Sequence, residues 1–426
     1  MTTGSTSRPG AAARATARRR RRRPRAGASA IGPARGDDAP PEADRPAAIV
    51  ASEPGEAADV QRTGEPAPIG MGGDDAPAAV PEVGRRARAP RRAAPAPEDL
   101  AAEIAQTAEK MVRDRASIAD MRLVSAALKE MRYAFRVFAP YHHVRKVSIF
   151  GSARTPESHP AYRHAHEFAR RLADRGFMVI TGGGPGIMRA CQEGSGRTRS
   201  FGINIRLPFE QQPNEFIHRD PKLVNFKYFF TRKLVFVKEA DAIALFPGGF
   251  GTHDEGFESL TLVQTGKSRP VPIVFVDEPG GTYWRTWRSY VEDHLLAAGL
   301  VSPADMRLFI VTDDLDRAID EITRFYRRYH SSRYVGDHLI VRMSSPLDDG
   351  AVAKLNAEFE DIVADGEILR SGPLPEESGE PELADLPRLV FHFTRRHFGR
   401  LRMLIDAIND APDAVGGNGS GPGRAS

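Results

Sequence analysis

Cysteine is nearly absent from this chain, with one residue in 426. A single thiol excludes an intramolecular disulfide framework and any multi-cysteine metal site. Cys191 falls in a predicted helix after a Gly-rich turn, where a buried structural thiol is expected. No stretch approaches the roughly 18 consecutive apolar residues of a membrane span. The N-terminus is positive but has no apolar segment behind it, so a secretory signal is not expected. These absences point to a soluble, cytoplasmic protein without membrane contact. His142-His143 and His164/His166 lack acids or cysteines at metal spacing, so no metal is assigned.

Large aliphatics and aromatics are scarce in residues 1–97, where Ala, Pro, Gly, Arg, Asp and Glu dominate. Such a segment buries too little apolar surface to offset the entropy of ordering it, and a disordered tail is expected. Acid is absent from the first 30 residues, which carry nine arginines, while the whole chain is net +4 and the remainder therefore −5. The run Arg18–Arg23 suits weak, salt-dependent contact with nucleic acid or an anionic membrane. A solvated leader is the blander reading of the same composition, and the preferred one. The Gly/Ser-rich end, residues 412–426, is also expected to be disordered.

Two phosphate-binding motifs are missing as well. Counting from Gly182, the sixth position is Ile187, where G-x-G-x-x-G requires glycine or alanine, and no G-x-x-x-x-G-K-[ST] occurs. A nicotinamide dehydrogenase and a P-loop ATPase are therefore disfavoured.

What is present is a strand–helix alternation. Residues 98–140 carry two helical periodicities, Leu100, Ile104, Ala108, Met111 and then Ile118, Met121, Val124, Leu128, Met131, expected to pack on the α/β core. Over 141–330, short apolar runs predict strands at Val147–Phe150, Phe177–Thr181, Phe201–Ile205, Ala242–Phe246, Val271–Val276 and Leu308–Val311. Helical patterns separate them, among them Phe226–Glu239, Thr252–Gln264, Tyr283–Leu296 and Leu315–Tyr329. A long loop runs through Pro208, Pro213 and Pro221. This is the pattern of an α/β, Rossmann-like, doubly wound parallel sheet. Residues 331–411 read as a small α+β appendage, with strands at Leu339–Met343 and Leu389–Phe393 and an acidic, Pro-rich stretch at Gly372–Asp385.

Three Gly-containing turns end predicted strands: Gly151-Ser152, Gly182–Gly186 and Gly248–Gly251. In an open parallel sheet, ligands bind outside the carboxyl ends of the strands. Glycine lets an anion approach the backbone, and the following helix presents free N–H groups and its positive dipole end. The third turn, Pro247-Gly-Gly-Phe-Gly-Thr-His-Asp-Glu255, stands directly ahead of a helix whose first turns carry Glu255 and Glu258 on one face. Glu258 is read equally well as a complement to the helix dipole.

The core resembles the Lonely Guy family, also called lysine-decarboxylase-like, whose members are nucleoside 5′-monophosphate phosphoribohydrolases. The signature P-G-G-x-G-T-x-x-E is met in full by Pro247–Glu255, the Arg-Lys pair by Arg232-Lys233, and the Gly-rich turn by Gly182–Met188. The resemblance spans about residues 146–311. Gly202–Gln211 is closer to the longer bacterial branch than to the compact plant cytokinin-activating enzymes, which moves the expected substrate from cytokinin nucleotides towards AMP or a relative. Nothing around Lys227, Lys233 or Lys267 supports the pyridoxal-phosphate lysine that a decarboxylase would need, and no cofactor is expected.

The resemblance implies the site. Glu255 would stabilise oxocarbenium character at C1′ or act as base for the attacking water. Arg232, which stays protonated, would orient the substrate and offset charge on the departing base. Lys233, Thr252 and the glycine N–H groups would hold ribose and 5′-phosphate. Gly151, Ser152, Gly183, Gly184, Met188, Gly248, Gly249, Phe250, Gly251, Asp254, Glu258 and Thr261 complete the expected substrate contacts. His253 occupies a variable motif position and reads as an exposed helix-start residue. A non-catalytic nucleotide carrier on the same fold is the alternative. The resemblance also implies a homodimer, and a helix at Phe226–Glu239 apolar around more than one face would need a second covering surface.

Overall fold

The computed structural model describes residues 96–206 and 212–413. Apart from a few residues at their inner ends, the expected tails and the arginine run lie outside the described residues. The chain folds around two sheets. Two helices come first, α1 (Pro97–Arg113) and α2 (Ile118–Phe138). α2 has a capping box between Ser117 and Asp120 and buries Ala127, Ala134 and Phe138. Phe138 stacks on Phe201 with ring centroids 4.2 Å apart. α1 has an apolar stripe but buries no residue, so only the second lead-in helix meets the expectation of packing on the core.

The first sheet has seven parallel strands, and the elements alternate as its sequence pattern demands. They are β1 (Lys146–Phe150), α3 (Pro160–Asp174), β2 (Met178–Thr181), α4 (Ile187–Ser195), β3 (Ser200–Ile205), β4 (Leu223–Phe226), α5 (Phe229–Glu239), β5 (Ala242–Leu245), α6 (Phe250–Gln264), β6 (Ile273–Val276), α7 (Tyr283–Tyr290), β7 (Phe309–Thr312) and α8 (Leu315–Phe325). The strand order is β4-β3-β2-β1-β5-β6-β7, so the chain reverses direction across the sheet between β1 and β5. Both faces are covered. Phe138, Phe201, Phe236, Phe275, Trp284 and Trp287 fill one core, while Tyr162, Phe168, Phe246, Ile319 and Ile322 fill the other. This is the α/β doubly wound fold expected from near-continuous apolar strands. Cys191 is fully buried beside the Ala165 carbonyl, as a structural thiol.

Three local expectations are corrected. Phe226 does not open a helix; it ends β4, a strand within the expected long loop, and pairs with Ile205 in β3. The stretch Leu223–Phe226 is too short and too close to Pro221 to show a period, and the helix starts only at Phe229. The helix expected to reach Tyr329 stops at Phe325. Tyr329 begins β8 (Tyr329–Val335), which pairs antiparallel with β9 (His338–Met343). The helix from Tyr283 passes into a π-turn over Val291–Leu296.

β8 and β9 belong to a second, four-stranded sheet, completed after α9 (Asp349–Glu358) by β10 (Val363–Ser371) and β11 (Arg388–Phe393), in the order β10-β11-β9-β8. Residues of α9 and of α10 (Phe398–Asp410) share its core with Leu339, Val341, Leu389 and Phe391. The acidic stretch after β10 is tied to the strands by charge. The buried Glu377 carboxylate accepts from Arg342 Nε at 2.8 Å, Arg388 Nε at 2.9 Å and the Leu374 N–H at 2.9 Å. These bonds hold Glu377 below the usual carboxylate range despite its burial.

Candidate active site

Because strand order reverses between β1 and β5, their carboxyl ends lie side by side with helices leaving to opposite sides. This is the crevice where open α/β sheets bind ligands. The Ser152 N–H donates to the Pro247 carbonyl at 3.1 Å, joining the first and third glycine turns across this point. A cleft of about 730 Å³ opens there, lined among others by Gly151, Ser152, Gly182, Met188, Arg232, Gly248–Glu255 and Tyr283. That size suits a small nucleotide.

The third turn delivers the amino end of α6 into the cleft. Among the described residues no hydrogen-bond acceptor is found for the N–H groups of Gly249, Phe250 or Gly251. A Cβ on Gly249 or Gly251 would meet nothing within 4 Å, so these glycines border open space. At Gly248 a Cβ would lie 2.1 Å from Thr252 Oγ1, which makes glycine obligatory there. Free N–H groups, the dipole of a 15-residue helix and an open approach form an anion cradle. Phe250 is 96% exposed at its rim.

Glu255 lies one turn into α6 and is buried. Burial pushes its carboxyl up to about 7, against the pull of Lys233 and Arg232 and with the push of Glu258 and Asp254. Arg232 comes from α5, with its Nε donating to the Ile203 carbonyl at 2.9 Å and its guanidinium 5.0 Å from the Phe236 ring centroid. Burial lowers its pKa and the Glu255 charge opposes that shift. A Cβ at Gly182 would stand 2.7 Å from Arg232 Nη2, so the second glycine turn leaves room for this guanidinium.

Of the site residues read from the sequence, Gly151, Ser152, Met188, Arg232, Gly248, Gly249, Phe250, Gly251, Thr252, Asp254 and Glu255 line the cleft. The others do not. Lys233 was expected to hold ribose and phosphate, but its Nζ sits 2.8 Å from Asp254, 2.6 Å from Glu258 and 3.8 Å from Glu255. Burial alone would lower the Lys233 pKa, and the Asp254 and Glu258 carboxylates instead raise it. The ammonium and Glu258 are thus spent on each other and on orienting the acidic side of α6. Gly183 and Gly184 turn their carbonyls to Asn214 behind the cleft, at 3.1 and 2.8 Å from Nδ2. Thr261, nearly two turns beyond Glu255, lines a separate apolar crevice with Leu260 and Trp287.

Arg154, Phe229 and Tyr283, which the sequence did not point to as contacts, also line the cleft, as does Gly182, read only as the start of the second glycine turn. His253, read as an exposed helix-start residue, stands in the first turn of α6, half-buried at the cleft, with its Nε2 2.7 Å from Tyr283 Oη. Arg154 and Gly182 stood next to residues already singled out. Tyr283 carried no signal, since it lies 28 residues beyond the motif and reaches the cleft only through the fold.

A family described as "Possible lysine decarboxylase" matches residues 185–322. The cytokinin riboside 5′-monophosphate phosphoribohydrolase of Mycobacterium tuberculosis is 29% identical over 161 residues, covering 36% of this chain and 81% of that protein. The protein of the same name from Rhodococcoides fascians is 35% identical over 91 residues, covering 21% of this chain and 44% of its own length. A probable rice enzyme of that name (Oryza sativa subsp. japonica) is 26% identical over 175 residues, covering 40% and 79%. Among solved structures, a molybdenum cofactor binding protein from Rippkaea orientalis aligns with a TM-score of 0.31 at 14% identity, over 42% of this chain and 96% of that one. With the complete Pro247–Glu255 signature, these matches make the chain similar to the Lonely Guy, or lysine-decarboxylase-like, proteins.

Proposed function

We propose that the chain hydrolyses the N-glycosidic bond of a nucleoside 5′-monophosphate, AMP or a close relative, releasing the free base and ribose 5-phosphate. One observation carries this reading: Glu255 is a buried carboxylate raised to about 7, set beside Arg232 and just below the free N–H groups of a helix terminus. A carrier needs the cradle; it has no use for a desolvated carboxylate poised near neutral pH.

In this mechanism the 5′-phosphate sits on the N–H groups of Gly249, Phe250 and Gly251, which anchors the ribose over Glu255. The C1′–N bond breaks with the electron pair leaving on the base, and C1′ gains cationic character that the Glu255 carboxylate stabilises. Water adds its oxygen to C1′; one of its protons passes through Glu255 and the departing nitrogen takes up a proton. Arg232 offsets negative charge on the leaving base. Lys233 acts through Asp254, Glu258 and Glu255 and does not touch the substrate. Binding energy from the remote phosphate positions the reacting centre.

The test is incubation with a panel of nucleoside monophosphates, including AMP and a cytokinin riboside monophosphate, with detection of free base and ribose 5-phosphate. Release from at least one member is expected. Tight binding without release from any member would replace hydrolysis with a carrier role.

A further inference from the structure

The proposed phosphate cradle depends on which way one peptide unit faces. The carbonyl of Gly248 and the N–H of Gly249 belong to the same planar trans peptide and point in opposite directions. The carbonyl is engaged: Tyr283 Oη donates to it. The phenol has a single proton, so with that proton on Gly248 its oxygen is left to accept. Its neighbour is His253 Nε2 at 2.7 Å, which must then be the N–H end of the imidazole.

Both partners stand on firm supports. His253 is in the first turn of α6, its ring 5.3 Å from that of Trp284. Tyr283 is the first residue of α7, and its neighbour Trp284 is fully buried. The Trp284 backbone N–H donates to the carboxylate of Asp277, just past β6, at 2.8 Å. The bonds run from the sheet through α7 to the glycine turn.

We propose that Tyr283, backed by His253, is a positioning residue that clamps the Gly248 carbonyl towards α7 and so aims the Gly249 N–H, which faces the opposite way, at the 5′-phosphate. This rests on the phosphate cradle of the proposed function. Without the clamp the peptide is free to rotate, and a rotated peptide turns a carbonyl oxygen towards the anion. The clamp therefore governs phosphate affinity and leaves the chemistry at C1′ to Glu255 and Arg232.

The experiment measures ribose 5-phosphate binding by calorimetry and kcat and KM on AMP, in the full chain and in Tyr283→Phe, His253→Ala and His253→Gln. Tyr283→Phe keeps the ring and removes the bond. It is expected to weaken ribose 5-phosphate binding and raise KM by about tenfold each, with kcat within about threefold of wild type, the cost of one hydrogen bond to an anion-binding loop. His253→Ala should show a smaller loss of the same kind. His253→Gln, which restores an N–H donor, should recover most of it. Unchanged ribose 5-phosphate affinity in Tyr283→Phe, or a fall in kcat at constant KM, would overturn the clamp. A wild type that binds ribose 5-phosphate but releases no base defeats the hydrolase reading and leaves the clamp testable by affinity. A wild type that does not bind ribose 5-phosphate removes cradle and clamp together.

Discussion

Two buried glutamates, one in each of the two α/β parts of this molecule, differ in how their charge is met. Glu377 and Glu255 each sit beside two cationic side chains, yet their carboxyls are driven in opposite directions. Glu377 accepts hydrogen bonds from Arg342, Arg388 and the Leu374 N–H, so its charge is fully paired. Glu255 has its nearest ammonium at 3.8 Å, and that Lys233 is occupied at closer range by Asp254 and Glu258. Arg232 spends its Nε on the Ile203 carbonyl. Burial raises both carboxyls; at Glu377 the direct donors and the arginine charge outweigh it, and at Glu255 the charges of Lys233 and Arg232, without a direct donor, do not. The carboxylate of Glu377 is thus a structural tie, while the proposed role of Glu255 rests on the lack of such donors.

The contrast is broken most severely at the tie. Glu377→Ala leaves the buried Arg388 without its anion and Arg342 with Glu380 alone, and should cost about 3–5 kcal/mol, read as a large drop in thermal midpoint. A loss below about 1 kcal/mol would show that water replaces the carboxylate. Glu255→Gln should do the reverse, lowering kcat roughly 100-fold or more while sparing nucleotide binding and the fold. Near-normal turnover in a folded variant would remove Glu255 from the chemistry.

The pH dependence sharpens the same comparison. Folding raises Glu255 from 4.5 to about 7, so its protonated form is favoured in the folded state. Its contribution to stability is complete below pH 4.5 and is lost as pH rises through about 7, on the order of 3 kcal/mol. Glu377, held low, contributes above its unfolded pKa and loses that contribution as pH falls through its depressed folded value. Chemical denaturation from pH 5 to 8 should thus show a decline that Glu255→Gln flattens and a glutamate elsewhere on the surface does not. Turnover, if it uses the ionised carboxylate, should rise over the window in which this stability is lost.

The smallest expected effect concerns assembly. On α5 the side chains of Phe229 and Phe230 are 53% and 50% exposed, and Leu234 is exposed with them. A homodimer that covers this face is proposed, with Arg232 on the same helix. Phe230→Glu should shift sedimentation towards monomer and lower activity severalfold. A wild type that stays monomeric and active across micromolar concentrations would refute it.

Legibility followed physical range. The Pro247–Glu255 turn was readable because glycine, threonine and acid act within a few residues of one helix terminus. The strands with long apolar runs were equally plain. β4 was not, since four residues in a proline-rich stretch carry no period and Phe226 is buried by pairing with β3. The ion pairs of Lys233 were not legible because its sequence neighbour Arg232 does enter the cleft, while the lysine turns to acids 21 to 25 residues away.

By itself, then, the order of residues determined the α/β architecture, the glycine turns at strand ends and the candidacy of Arg232 and Glu255, all properties of local period and helix-end chemistry. Only the tertiary structure decided that Glu255 is desolvated, that Lys233 faces inward to carboxylates, and that Tyr283, held by His253, donates to the Gly248 carbonyl. Burial and hydrogen-bond partnership depend on which distant segments meet. That meeting is fixed here by the reversal of strand order between β1 and β5, a property of the whole sheet that no short stretch of sequence carries.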